Sequence, residues 1–236
     1  MKGERMNING LQKLTLLDYP GHVAATVFLA GCNMRCPWCH NSELIDGTAE
    51  AVMDDGKLLK FLEGRKGILD GVCFTGGEPL LRPELPELMR KIKDMGYLVK
   101  LDTNGYLPDR LEKLLDENVL DYVAMDIKNS PERYAETAGL PEIDMEKIRL
   151  SISYILGHDT DYEFRTTVME PLHDDASFEG IGRLIEGADK YFLQMFADRD
   201  TVVYSGFSAP EKDDVLRYAD IMRRYVKEVG IRGIDL

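Results

Sequence analysis

Cysteine is scarce in this chain, and where it occurs it is crowded. Of four cysteines in 236 residues, three fall between Cys32 and Cys39, and Cys73 stands alone. A disulfide framework needs pairs spread over the fold in an oxidising compartment, so this pattern excludes one. A tight group of thiols points instead to metal binding or redox chemistry. Long apolar runs are also missing: no stretch approaches the roughly 20 apolar residues that span a bilayer. The opening segment, MKGERMNINGLQKLTLLDYP, lacks the apolar core and small-residue cleavage site of a secretory signal. Basic residues are outnumbered, 29 Lys and Arg against 42 Asp and Glu, for a formal net charge of −13. That balance argues against broad nucleic-acid binding, which needs basic patches. The expectation is a cytoplasmic protein with neither a membrane nor a nucleic acid as partner.

No low-complexity tract and no linker rich in Pro, Gly or Ser interrupts the chain, so one domain over 1–236 is expected. β-Branched apolar runs recur at Val23–Ala30, Gly71–Thr75, Leu98–Asp102, Asp121–Ile127, Tyr162–Val168 and Tyr191–Phe196. Between them lie stretches with helical spacing. One contains Leu85, Leu88, Met89 and Ile92, starting after Pro83 and ending at Gly96. Another, Ile143–Leu156, has a Ser-Ile-Ser-Tyr end that reads equally as strand. Strands alternating with helices build parallel βα units. Six units fit residues 23–228, two short of a closed eight-stranded barrel. The fold class is therefore α/β, an incomplete (β/α)6 TIM-like barrel with parallel strands; a doubly wound open sheet is the alternative. Residues 1–22 form an N-terminal extension. Within it, Leu11–Tyr19 is placed to add an antiparallel strand before the turn at Pro20-Gly21.

The cysteines lie in Gly31–Asn41, GCNMRCPWCHN, with spacing C-x3-C-x2-C. The segment follows the first strand, where the loops of a βα barrel build active sites. Three thiolates can hold three irons of a four-iron cluster and leave the fourth open, whereas electron-transfer clusters usually have four Cys ligands. A structural zinc site also wants four closed ligands. His40 offers a Cys3His alternative, but it is adjacent to Cys39, closer than ligand pairs normally stand.

C-x3-C-x-aromatic-C at the end of a first strand resembles the radical S-adenosylmethionine superfamily. The longer string CNMRCPWCHN is similar to its glycyl-radical-enzyme activating branch, which includes the activases of pyruvate formate-lyase and anaerobic ribonucleotide reductase. The resemblance implies a [4Fe–4S] cluster held by Cys32, Cys36 and Cys39. It further implies S-adenosylmethionine bound at the open iron, and its reductive cleavage to a 5′-deoxyadenosyl radical that abstracts hydrogen. Only a low-potential donor can reduce a sulfonium, and cluster potentials reach that range. Trp38, the aromatic residue between the last two cysteines, would lie near the adenine or pack over the cluster.

Further motifs follow in the order that the resemblance implies. Thr75-Gly76-Gly77-Glu78-Pro79 matches the GGEP motif that binds the methionine amino group; seen alone, its two glycines make a common strand-to-helix turn. Asp102-Thr103-Asn104-Gly105 matches a DTNG motif of the activases that holds part of the cofactor site. Asp126, in Met125-Asp126-Ile127-Lys128, would project beside Asp102 from the neighbouring strand end. In the pyruvate formate-lyase activase the corresponding aspartates hold a monovalent cation; here one of them could instead cap a helix. Lys128 and Arg165 are candidate cationic groups. Arg165 would meet the cofactor carboxylate as a planar donor, or else form an internal ion pair with Glu163 or Glu170. One departure stands out: where that activase has a cofactor-touching histidine after strand six, this chain has Gln194-Met195-Phe196-Ala197. The departure fits the ribonucleotide-reductase-activator group better. Cys73, inside a strand, reads as a buried core thiol, so a single cluster is expected.

The expected activity is formation of a glycyl radical on a large partner enzyme, with a flavodoxin or ferredoxin as electron donor. Radical chemistry on a small molecule or another macromolecule, and a non-enzymatic metal-binding or electron-carrying barrel, are the alternatives.

Overall fold

A computed structural model describes residues 5–202 and 204–233. Residues 1–4, part of the expected extension, lie outside the described residues. In chain order the elements are β1 (Asn7–Ile8), β2 (Gly10–Thr15), β3 (Ala24–Leu29), β4 (Met53–Asp54), α1 (Asp55–Glu63), β5 (Gly71–Gly76), α2 (Leu85–Asp94), β6 (Leu98–Thr103) and α3 (Pro108–Asp116). There follow β7 (Tyr122–Asp126), α4 (Tyr134–Ala138), α5 (Met145–Gly157), β8 (Asp161–Val168), α6 (Asp175–Leu184), β9 (Lys190–Met195), α7 (Lys212–Met222) and β10 (Glu228–Arg232).

The main sheet has eight strands in the order β10-β9-β8-β7-β6-β5-β3-β2. From β3 to β10 every pairing is parallel; β2 alone runs antiparallel, against β3. Among the described residues β2 and β10 pair on one side only, so the barrel stays open between them. The fold is α/β, an incomplete TIM-like barrel of six βα units. One further parallel strand, β10, follows the last helix.

Helices cover a parallel sheet on its outer face, so its strands read as apolar runs. Val27, Leu29, Val72, Phe74, Val99, Leu101, Val123, Met125 and Phe164 are all fully buried in one core. α2 shows how the outer layer attaches. Pro86 sits in its first turn, where the missing N–H costs nothing. Leu85, Leu88, Met89 and Ile92 then fall on one buried face. α5 settles the ambiguous Ser-Ile-Ser-Tyr stretch as helix. Asp144 caps its start by accepting from the Glu146 N–H, and the buried Ser151 hydroxyl donates to the Gly105 carbonyl at 2.6 Å.

Candidate active site

The loop after β3 is built to hold its three cysteines at the C-terminal end of the sheet. Gly31, at φ +98°, turns the chain out of the strand. The Gly31 and Cys32 N–H groups then bond the carbonyls of Leu44 and Ile45, at 2.7 and 2.9 Å, which closes the loop on itself. Midway, the Arg35 N–H donates to Ala138 at the end of α4 (2.9 Å). Gly139 is required there: it takes φ +67°, and a Cβ would overlap the Arg35 carbonyl. Gly77 has a similar duty on the other flank, since a Cβ on it would overlap the Gly31 carbonyl. The Glu78 N–H donates to that same carbonyl at 2.8 Å. Of the double glycine at the end of β5, Gly77 therefore serves close approach to the cysteine loop, and Gly76, at φ +115°, close approach to the Leu29 backbone of β3.

One cavity gathers nearly every residue singled out by sequence. Cys32, Cys36, Trp38, Cys39, Thr75, Gly76, Gly77, Asp102, Thr103, Asn104, Asp126, Lys128 and Arg165 all line it. Glu78, expected among the cofactor contacts, is not among the lining residues. Its side chain is 1% exposed and lies beneath the turn, accepting from the Leu80 N–H (3.0 Å), the Thr103 hydroxyl (2.9 Å) and the Asn104 N–H (2.7 Å). Glu78 thus ties the turn after β5 to the one after β6. Burial pushes its carboxyl up to about 7, although those donors pull the other way.

Charge at the strand ends is compensated by protein groups. Arg165 stands beside Asp126 in the register of β7 and β8. Its Nε donates to Asp126 at 2.5 Å and its Nη2 lies 3.1 Å from Asp102. Lys128 adds an ion pair to Asp126 (2.9 Å), and the buried Lys100 pairs with Asp102. Burial alone would raise both carboxyls; Arg165, with Lys128 or Lys100, more than offsets it and holds both low. The expected monovalent cation would find the two aspartates already neutralised by this chain of alternating charges. Arg165 bonds neither Glu163 nor Glu170; Glu163 instead receives a bidentate pair of 2.7 Å bonds from Arg232 of β10.

Trp38 is 7% exposed, donates its Nε1–H to the Thr137 carbonyl (3.1 Å) and packs with Met169, Leu172 and Phe196. The Lys128 ammonium lies 5.0 Å from its ring centroid. Six further residues line the cavity: Met34, His40, Asn41, Ile45, Thr167 and Gln194, of which the sequence offered His40 only as an alternative zinc ligand and assigned the others no contact. Gln194 lies at the end of β9, on the cavity wall. Met34, Ile45 and Thr167 are of ordinary type at loop or strand-end positions, and only their place in the fold marks them.

The donor set can be tested against an iron–sulfur cluster. Burial raises all three thiols, Cys36 to about 12, so without a metal they stay protonated. Groups that favour the thiolate are nevertheless in place. The Met34 N–H donates to Cys32 Sγ at 3.4 Å, the Asn41 backbone to Cys39, and the Lys128 charge draws all three down. Asn33 Nδ2 is buried beside Cys32 with no acceptor. Among the described residues no three His, Cys, Asp or Glu side chains converge on a single-ion site, and His40 donates to the Ala197 carbonyl at 2.7 Å. Three thiols spread over one cavity wall fit three corners of a multinuclear cluster better than a closed Cys3His zinc site.

Residues 26–184 match the family model of the Radical SAM superfamily, and the chain belongs to it. A Methanocaldococcus jannaschii protein that carries the provisional name glycyl-radical enzyme activating enzyme MJ1227 is 31% identical over 240 residues, covering 97% of this chain and 96% of that one. The pyruvate formate-lyase-activating enzyme of Clostridium pasteurianum is 35% identical over 127 residues, 52% of each chain. Among solved structures, a radical SAM methyltransferase from Sphaerobacter thermophilus matches 94% of this chain and 70% of its own at a TM-score of 0.68, with 17% identity, a likeness of fold. The protein is a radical SAM enzyme, and its cofactors are a [4Fe–4S] cluster and S-adenosylmethionine. Among the described residues no helix is long and apolar enough to cross a membrane.

Proposed function

We propose that this protein is a glycyl-radical-enzyme activase: a single domain, in the cytoplasm, that makes a radical on a glycine of a large partner. The observation that carries the reading is a trio of half-buried thiols and a compensated Asp–Arg–Lys network lining one cavity. The end-to-end likeness to the M. jannaschii protein supports the finer assignment.

In this reading Cys32, Cys36 and Cys39 hold three irons. When bound, the cluster supplies the electron that splits S-adenosylmethionine into methionine and a 5′-deoxyadenosyl radical. The chain's own groups do the rest by placement. The backbone of Thr75–Gly77 meets the methionine amino group, while Lys128 and Arg165 present fixed positive charge to its carboxylate. Both cations are anchored on Asp126, so neither has to reorganise when the anion arrives. Asp102, Thr103 and Asn104 line the same end. Trp38, pinned through its indole N–H, offers a flat face to the adenine. The hydrogen on a glycine Cα is weakly held, because the radical left behind spreads over both flanking amides. A partner's glycine loop has to reach the cavity, and the unpaired edges of β2 and β10 leave the barrel open for it. A flavodoxin or ferredoxin supplies the electron, and neither nucleic acid nor membrane takes part.

Anaerobic reconstitution with iron and sulfide, followed by reduction with S-adenosylmethionine, should release 5′-deoxyadenosine. Adding a glycyl-radical enzyme from the same genome should give a doublet in the electron paramagnetic resonance spectrum. Release of 5′-deoxyadenosine without a doublet from any such partner would reject the activase assignment; no release at all would reject the radical reading of the site.

A further inference from the structure

The cluster motif runs on as Cys39-His40-Asn41, and the function above gives the last two residues no task. Each makes one side-chain bond to backbone, in opposite directions. Asn41 Nδ2 donates to the Gly76 carbonyl at 3.1 Å, at the end of β5. His40 bonds the Ala197 carbonyl, just past β9, at 2.7 Å. A carbonyl only accepts, so His40 carries its proton on Nε2. The His40 ring also stacks on Phe196, centroids 5.5 Å apart and planes 19° apart. One residue further, the Ser42 hydroxyl donates to the Thr201 carbonyl. β3 and β9 lie near opposite ends of the open sheet, with β5, β6, β7 and β8 between them. The loop after β3 therefore reaches across the opening and grips the segment after β9. Phe196 and Val202 of that segment pack into the apolar cluster of Trp38, against which Cys36 also lies.

We propose that His40 is a positioning residue that closes the upper rim of the open barrel. With Ser42 as the second tie and Asn41 anchoring the loop to the end of β5, it straps residues 196–202 over the Trp38–Cys36 wall and so shields the cluster edge from solvent and oxygen. Strand pairing does not join these two segments; two side-chain bonds do, and the Asn41 bond holds the loop that makes them. The shielding part rests on the reading of the cysteines as cluster ligands, whereas the brace itself does not.

The test compares the full-length chain with His40→Phe, which keeps a ring on Phe196 but has no donor, and His40→Gln, which restores an N–H. Amide hydrogen exchange of 197–202 is followed first in the cluster-free protein, without oxygen. Losing one neutral hydrogen bond is worth about 1 kcal/mol, or roughly fivefold in a local opening equilibrium. His40→Phe should exchange that segment roughly fivefold faster and His40→Gln should recover most of the protection, with unchanged exchange in the distant α2. After reconstitution, bleaching of the cluster's visible absorbance in air should accelerate by a similar factor in His40→Phe and recover in His40→Gln. Exchange in His40→Phe at the original rate, or equal loss in both variants, overturns the brace. Faster exchange with unaltered bleaching overturns the shield. If the unmodified chain assembles no cluster, the proposed function and the shield fall together, and exchange alone still decides the brace.

Discussion

Glu78 should make the stability of this protein fall as pH rises, and its substitution should remove that slope. The carboxyl is 1% exposed, and burial lifts it from 4.5 to about 7. Between those values the unfolded chain has released the proton while the native state still holds it. The folded state then binds more protons than the unfolded one, so unfolding free energy declines with rising pH. Each pH unit of separation is worth 1.36 kcal/mol, and the rise from 4.5 to about 7 corresponds to about 3 kcal/mol. Below 4.5 both states are protonated, and above 7 both are ionised, so the contribution is flat at either end. Glu78→Gln cannot titrate. It keeps an oxygen for the Leu80 and Thr103 donors but sets an amide against the Asn104 N–H, a loss of about 1–3 kcal/mol at any pH. Urea unfolding of the cluster-free protein, followed by circular dichroism without oxygen, measures both forms across this range. Other groups shift both curves together, so the difference between them isolates Glu78. That difference should move by about 3 kcal/mol in favour of Gln from pH 4.5 to 7. A difference that stays constant, or moves in favour of Glu, would refute the reasoning: the three donors would then be strong enough to hold Glu78 as an anion.

The remaining expectations concern the cavity walls. Gly77→Ala forces a Cβ into the Gly31 carbonyl, so it should cost about 1–3 kcal/mol and lower iron uptake on reconstitution, whereas Gly157→Ala, whose Cβ meets nothing within 4 Å, should leave iron uptake unchanged. Arg165→Met leaves the half-buried Asp102 and Asp126 with one lysine each and no shared partner, and should lower the unfolding free energy by about 1.5–3 kcal/mol, measured by urea unfolding above pH 7. Cys36→Ser should abolish the visible absorbance of the reconstituted cluster, while Cys73→Ala, which removes a fully buried thiol outside the trio, should keep it; equal absorbance in the two would sink the assignment of the ligands.

Strand positions were legible because a strand buried on both faces must be apolar along its length. All six apolar runs became strands with ends displaced by no more than two residues. β10 carried no such signal. Its sequence, Glu-Val-Gly-Ile-Arg, is short, holds a glycine and two charges, and is only half-buried at the sheet edge. It follows the closing helix with no alternation long enough to count. β1 and β4, two residues each, and the five-residue α4 lie below what periodicity can detect.

The site was legible in residue type but not in pairing. Glu163 and Glu170 were the natural partners for Arg165 by sequence distance. The partner is instead fixed by register: β7 and β8 pair so that Asp126 faces Arg165, while Glu163 is taken by Arg232 from the strand that sequence did not reveal. The two observations are linked. If Arg232 did not occupy Glu163, a buried carboxylate two residues before Arg165 would compete for the guanidinium that spans Asp102 and Asp126. Burial would raise Glu163, but Arg232 brings it below its ordinary range. It is therefore charged, and it needs a cation of its own. β10 thus does more than extend the sheet: its arginine satisfies Glu163 and leaves Arg165 free to hold the two aspartates at the cavity.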